Sequence, residues 1–140
     1  KWEYIHDEAG YNYKLPALNA SLGISQLSNL QLIIKKKRQL YINYKKNLND
    51  LNFIKVFQEP KNAKSNYWLQ TLLIDKKNKK LKNEIIKVLN KNQIMARPAW
   101  KLLHTLKHLK RFPRMKLDVS QDLYSRIINI PSSPNLVKKI

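Results

Sequence analysis

One long helical period constrains this chain more than any other feature. Pro16 suits the first turn of a helix, where its missing N–H costs nothing. From Ala17 to about Leu51, apolar Leu27, Leu30, Ile34, Tyr41, Tyr44, Leu48 and Leu51 recur three, four or seven apart, the spacing of one helix face. The front of this helix carries small residues, Ala17, Ala20, Ser21 and Gly23. A helical glycine costs up to ~1 kcal/mol against alanine, and close packing against other backbone would offset that cost. The basic run Lys35-Lys36-Lys37-Arg38 covers every side of one turn and is expected in solvent.

Shorter elements follow. Phe53 to Phe57 reads as a strand, and "YWLQTLLI" at Tyr67 to Ile74 reads as the strongest one. A lysine-rich turn over Lys76 to Lys80 leads into an amphipathic helix with Leu81, Ile85, Val88 and Leu89 on one face. Gln93 to Ala96 reads as a third strand ended by Arg97-Pro98, and Trp100 to Leu109 as helical. Asp118 would cap a helix over Val119 to Arg126, and Ile127 to Ile130 reads as a last strand closed by "PSSP". The expected fold is α/β, a small mixed layer hung on one long helix.

The 140 residues suit a single domain, and 43% hydrophobic composition fits a globular one. The chain begins at Lys1 without methionine, so a piece of a longer protein is expected. No apolar run approaches the ~20 residues of a membrane span, and a cytoplasmic location is the plain expectation. The net charge of +19 suggests an anionic partner. Yet only Arg38, Arg97, Arg111, Arg114 and Arg126 carry the rigid fork favoured for phosphates and base edges. The lysines are spread over every segment, as solvated lysines on ordinary surfaces would be.

Most catalytic chemistries lack their residues. The chain has no cysteine, hence no thiolate nucleophile or cysteine metal site. Its only glycines, Gly10 and Gly23, exclude dinucleotide and phosphate loops, and there is no GxSxG. His104 and His108 have metal-binding spacing on a helix, but basic neighbours oppose a cation, so no metal is expected. Asp7 and Glu8 are adjacent and cannot face one another. What remains is contributory. Asn12 offers an amide to a phosphate, with the Tyr11 and Tyr13 hydroxyls beside it. "RPAW" at Arg97 to Trp100 sets a guanidinium and an indole after a strand end, a pairing that suits a phosphate or a sugar ring. Ordinary tyrosine packing and a plain ion pair for Arg97 are the alternatives.

"HDEAGYNYKLPALNASLGISQL", "SNYWL", "RPAWKLLH" and "RIINIPSSP", in that order, resemble the C-terminal part of DegT/DnrJ/StrS-type sugar aminotransferases. These are pyridoxal-phosphate enzymes of the aspartate-aminotransferase fold (fold type I) acting on nucleotide-linked keto-sugars. The pairing of the first and last motifs is most similar to members that aminate UDP-linked 4-keto sugars on routes to legionaminic-acid-like or bacillosamine-like surface sugars. The resemblance implies the C-terminal small domain of that fold, with a long connecting helix and a small, mainly antiparallel sheet flanked by helices over residues 15–140. Residues 1–14 would be an interface loop bearing GYNY, and the large cofactor domain would lie upstream.

By the same resemblance Asn12 would contact the cofactor phosphate of the neighbouring subunit of a homodimer, with Tyr11 beside it. Tyr13, Arg97, Trp100 and His104 would line the substrate pocket. Lys14 stands where the family usually has arginine and gives up a bidentate contact. The Schiff-base lysine would lie upstream, so no catalytic residue is expected here. The complete enzyme would use pyridoxal 5'-phosphate, a nucleotide-sugar and an amino donor such as glutamate, and would serve surface polysaccharide synthesis such as O-antigen. The competing readings are a non-catalytic relative and a basic nucleic-acid-binding module.

Overall fold

A computed structural model describes residues 5, 8–11 and 15–137. The chain opens with two consecutive helices, α1 (Ala17–Ser28) and α2 (Leu30–Asn47). Pro16 precedes the first with extended φ and ψ of −60° and 150°, and its carbonyl accepts the Ala20 N–H at 3.0 Å. The single helix expected to Leu51 is therefore broken once and ends earlier. At the break the Ser28 hydroxyl donates to the Ser25 carbonyl at 2.7 Å, and the Asn29 N–H bonds Gln26 three residues back. Short polar side chains compete with the helix ladder in this way.

Four short strands follow: β1 (Ile54–Val56), β2 (Gln70–Ile74), β3 (Arg97–Pro98) and β4 (Ile127–Ile130). They form one sheet in the order β1-β2-β4-β3, antiparallel at every pairing. Leu72 lies opposite Ile128, and Ile54 opposite Ile74. Alternate β2 residues Gln70, Leu72 and Ile74 are buried, the period-two pattern of a sheet with one face on a core. Ile74 and Ile128 are fully buried, each contributing about 1.5–3 kcal/mol. Tyr44 of α2 and Leu48 just after it pack on this core, as do Ile85, Ile86 and Leu89 of α3 (Lys82–Lys91).

The α3 face differs from the expected one. Ile86 is its buried anchor, whereas Val88 and Leu81 are exposed. The third strand also moves. Gln93, at φ 61°, ends α3 in a Schellman motif: the Ile94 N–H reaches the Leu89 carbonyl at 2.9 Å and the Gln93 N–H that of Asn90 at 3.1 Å. This turn consumes the residues read as strand and delays β3 to Arg97. A 3₁₀ turn over Lys76–Leu81 stands where the lysine-rich turn was expected.

Strand β2 starts later than expected, because Tyr67 adopts a left-handed φ of 48° and turns the chain just before it. The region from Trp100 to Leu109 forms two 3₁₀ turns, Leu103–Thr105 and Lys107–Leu109, in place of a helix. His104 and His108 therefore lose the one-turn helical spacing. Among the described residues no cluster of His, Asp and Glu could hold a metal. Helix α4 (Asp118–Arg126) leads directly into β4. Asp118 makes no side-chain cap; it sits in the first turn and pairs with Lys116 at 3.0 Å. Among the described residues no helix is long and apolar enough to cross a membrane.

Candidate functional site

The end of α3 positions the site. The Asn90 amide donates to the carbonyls of Ile86 at 2.8 Å and Ala96 at 2.7 Å, tying the helix to the residue before Arg97. Strand β3 then pairs Arg97 with Asn129 on β4. Asn129 is buried; its side-chain oxygen accepts from Thr71 at 3.0 Å, and its amide donates to the Pro98 carbonyl at 3.4 Å. Three strands thereby hold Arg97 at the sheet edge. Its guanidinium lies 5.1 Å from the centre of the Trp100 ring, within cation–π range. Trp100 stacks on Trp68 with ring centroids 5.8 Å apart and planes 19° from parallel.

Arg97 and Trp68 border a cleft of about 640 Å³ between the middle of α2, the residues leading into β2 and the loop after β4. This volume falls in the range of small-molecule sites. Lys37 and Ser132 lie in its wall. The Lys37 ammonium donates to the carbonyls of Trp68 at 3.0 Å and Ser132 at 2.7 Å, and burial pushes its pKa down. Gln70 ties the same corner, its amide donating to the Lys37 carbonyl at 3.0 Å and its N–H to the Ser132 hydroxyl at 2.7 Å. The basic run expected in solvent is thus divided. Lys35 is exposed, while Lys37 and Arg38 are half-buried and occupied by partners. A charge run covering a whole helical turn must face inward somewhere, and here carbonyls and a carboxylate meet it.

The expected site residues fare differently. Arg97 and Trp100 are brought together. His104 is placed in a separate, smaller cleft of about 430 Å³ with Leu103, Phe112 and Leu117, near the Gln121 amide. Tyr11 is 80% exposed. Asn12, Tyr13 and Lys14 lie outside the described residues. The residues that sequence reasoning did not single out are Lys37, hidden in a basic run, and Trp68, whose "SNYWL" motif carried the resemblance without a role.

A second surface is notable for what leaves it open. No residue of α1 is buried; Leu18 is 81% exposed, and Leu22, Ile24 and Leu27 are exposed beside it. A Cβ placed on Gly23 would meet nothing within 4 Å. The close packing expected for the small residues of α1 is therefore not made among the described residues.

Comparison with protein families matches residues 1–139 to the DegT/DnrJ/EryC1/StrS aminotransferase family. The chain belongs to this family. Among its relatives is a protein described as a putative pyridoxal phosphate-dependent aminotransferase, EpsN of Bacillus subtilis, 34% identical over 96% of this chain. Another is the GDP-perosamine synthase of Escherichia coli O157:H7, 32% identical over 96% of this chain. The chain spans 35% of the length of each. Among solved structures, Helicobacter pylori PseC, an aminotransferase of pseudaminic acid biosynthesis, superposes with a TM-score of 0.80 at 23% identity. That match covers 94% of this chain and 36% of PseC. The fold is accordingly that of the small domain of fold type I sugar aminotransferases, with a sheet that is wholly antiparallel among the described residues.

Proposed function

We propose that this chain is the C-terminal portion of a pyridoxal-phosphate-dependent aminotransferase that converts a nucleotide-linked keto-sugar to an amino sugar for surface polysaccharide. The observation that carries the reading is Arg97, set by three strands over Trp100 at the edge of a cleft, in a chain of this family. A guanidinium suits a diphosphate by paired charge-assisted bonds, and an indole face suits a sugar ring.

Residues 1–14 form the interface loop and residues 15–140 the small domain. The open apolar face of α1 supports this division, since a helix with no buried residue calls for further protein to cover it. The complete enzyme is a cytoplasmic homodimer. Asn12 donates to the cofactor phosphate of the neighbouring subunit, with Tyr11 beside it, and Tyr13 and His104 border the substrate.

The residues of this chain do not fit a complete cofactor cradle. Tyr11 is exposed to the extent expected of a group presented to another molecule, and Lys37 is bound by two backbone carbonyls. When bound in the complete enzyme, pyridoxal phosphate supplies the electron sink for amino transfer. This chain binds and orients the nucleotide-sugar.

The nucleic-acid alternative gains nothing from the geometry. Lys37, Arg38, Lys82 and Arg126 each serve a local carbonyl or carboxylate. The test is to incubate the complete protein with ¹⁵N-glutamate and UDP- or GDP-linked 4-keto sugars and to follow the label by mass spectrometry. Label in the sugar is the expected result. Its absence from every keto-sugar, with cofactor bound, would leave the non-catalytic relative.

A further inference from the structure

We propose that Lys37 and Trp68 contact a nucleoside diphosphate in the cleft, Lys37 at the diphosphate and Trp68 against the base. This deepens the preceding reading and rests on it for the identity of the ligand as part of a nucleotide-sugar.

Lys37 and Arg97 both line the cleft, and among the described residues no carboxylate does. A half-buried ammonium such as that of Lys37 is costly to desolvate unless an anion joins it. Lys37 spends two of its three donors on backbone carbonyls and forms no ion pair among the described residues. The two carbonyls fix the ammonium in the wall while leaving its charge unneutralised. Ser133 of the loop after β4 also borders the cleft, and its hydroxyl, which accepts the Asn135 N–H, keeps a proton to donate.

Trp68 is the aromatic residue in the cleft wall. It is 62% exposed although it lies just before a central strand, and one face of its ring is already stacked on Trp100. Trp100 itself is 44% exposed. Two adjoining indoles with open area beside two cations form a platform for a planar ring attached to an anion. A nucleobase on a diphosphate has that shape, and aromatic stacking on a base is tolerant of which base is present.

Trp68 is also held in place with unusual care. Tyr67 before it is in the left-handed region, pinned by stacking on Tyr41 at 4.6 Å, and the Trp68 N–H donates to the Asn66 side chain at 2.9 Å. Together with the Lys37 bond to the Trp68 carbonyl, these contacts fix the residue from both sides. A positioned, exposed tryptophan is what a pre-organised binding contact requires.

The test is calorimetric titration of the complete protein with UDP, GDP, their nucleosides and inorganic pyrophosphate. Lys37→Met is expected to weaken the diphosphates and pyrophosphate by about tenfold or more, the scale of a lost bond to a charged group, and to spare the nucleosides. Trp68→Ala is expected to weaken nucleosides and nucleoside diphosphates by about tenfold while sparing pyrophosphate, and Trp68→Phe to restore most of that loss. Unchanged diphosphate affinity in both Lys37→Met and Trp68→Ala, with thermal midpoints like the parent's, overturns the proposal. So does a uniform loss for all ligands that Lys37→Arg and Trp68→Phe fail to repair, which marks the two residues as purely structural. The two readings fail separately. Amino transfer with unchanged nucleotide affinity in the variants sinks this assignment alone, whereas nucleotide binding as described without amino transfer sinks the enzymatic reading.

Discussion

Arg38 grips Glu59 with two parallel hydrogen bonds of 2.9 and 3.0 Å and so fastens the loop between β1 and β2 to helix α2. The same guanidinium reaches the Ser65 carbonyl at 2.6 Å, and Glu59 in turn accepts the Ser65 N–H. The loop therefore closes on itself around one ion pair and delivers Tyr67 and Trp68 to the cleft. Glu59→Gln is expected to loosen residues 60–66, read as faster hydrogen exchange there, with the β2–β4 core unchanged.

That ion pair also sets an acid sensitivity. The hydrogen bonds from Arg38 and then Ser65 hold the Glu59 carboxyl below its ordinary value. Arg126 does the same for Asp122. A carboxyl whose pKa is lowered on folding contributes stability above its unfolded value, about pH 4, and loses it as the pH falls through the folded value. Urea midpoints of the parent and Glu59→Gln should differ by a constant amount above pH 5 and converge below pH 4.

Ile74 and Ile128 lie on adjacent strands, with no exposed surface, at the centre of the core. Ile128→Ala should cost about 2–5 kcal/mol by urea unfolding, the range for an aliphatic truncation that leaves a cavity. Val88→Ala, on the exposed side of α3, should stay within about 0.5 kcal/mol.

Gln93 occupies the left-handed position of a Schellman motif that usually holds glycine. Gln93→Gly should raise stability by roughly 0.5–1 kcal/mol, because relief of the left-handed strain exceeds the added chain entropy. Thermal unfolding checks the sign.

Gly23 separates two views of α1. The chain itself leaves room for a Cβ, so Gly23→Ala should strengthen the helix by up to about 1 kcal/mol in the chain produced alone. In the complete protein the same change should destabilise, because the covering domain would pack close to that position. Thermal midpoints of both forms decide it.

Much of the fold was legible in the sequence. The helical period, the "YWLQTLLI" strand and the Ile127 to Ile130 strand were read from apolar spacing, the last with its observed bounds. What the pattern missed depends on backbone conformation. Tyr67 and Gln93 adopt positive φ without being glycine, which no propensity announces, and each displaces a strand boundary. Of the candidate site, the Arg97–Trp100 contact was legible, because the two residues stand three apart after a strand end. The placement of Lys37 in the cleft wall was not legible, because it comes from two carbonyls distant in sequence.

The most direct test of the account is steady-state kinetics of amino transfer by the complete protein carrying Arg97→Met. The predicted result is a rise of about tenfold or more in KM for the nucleotide-sugar, with KM for glutamate unchanged, since a charge-assisted contact to one substrate is lost. Unchanged KM for the nucleotide-sugar would contradict the placement of this chain on the substrate side of the site.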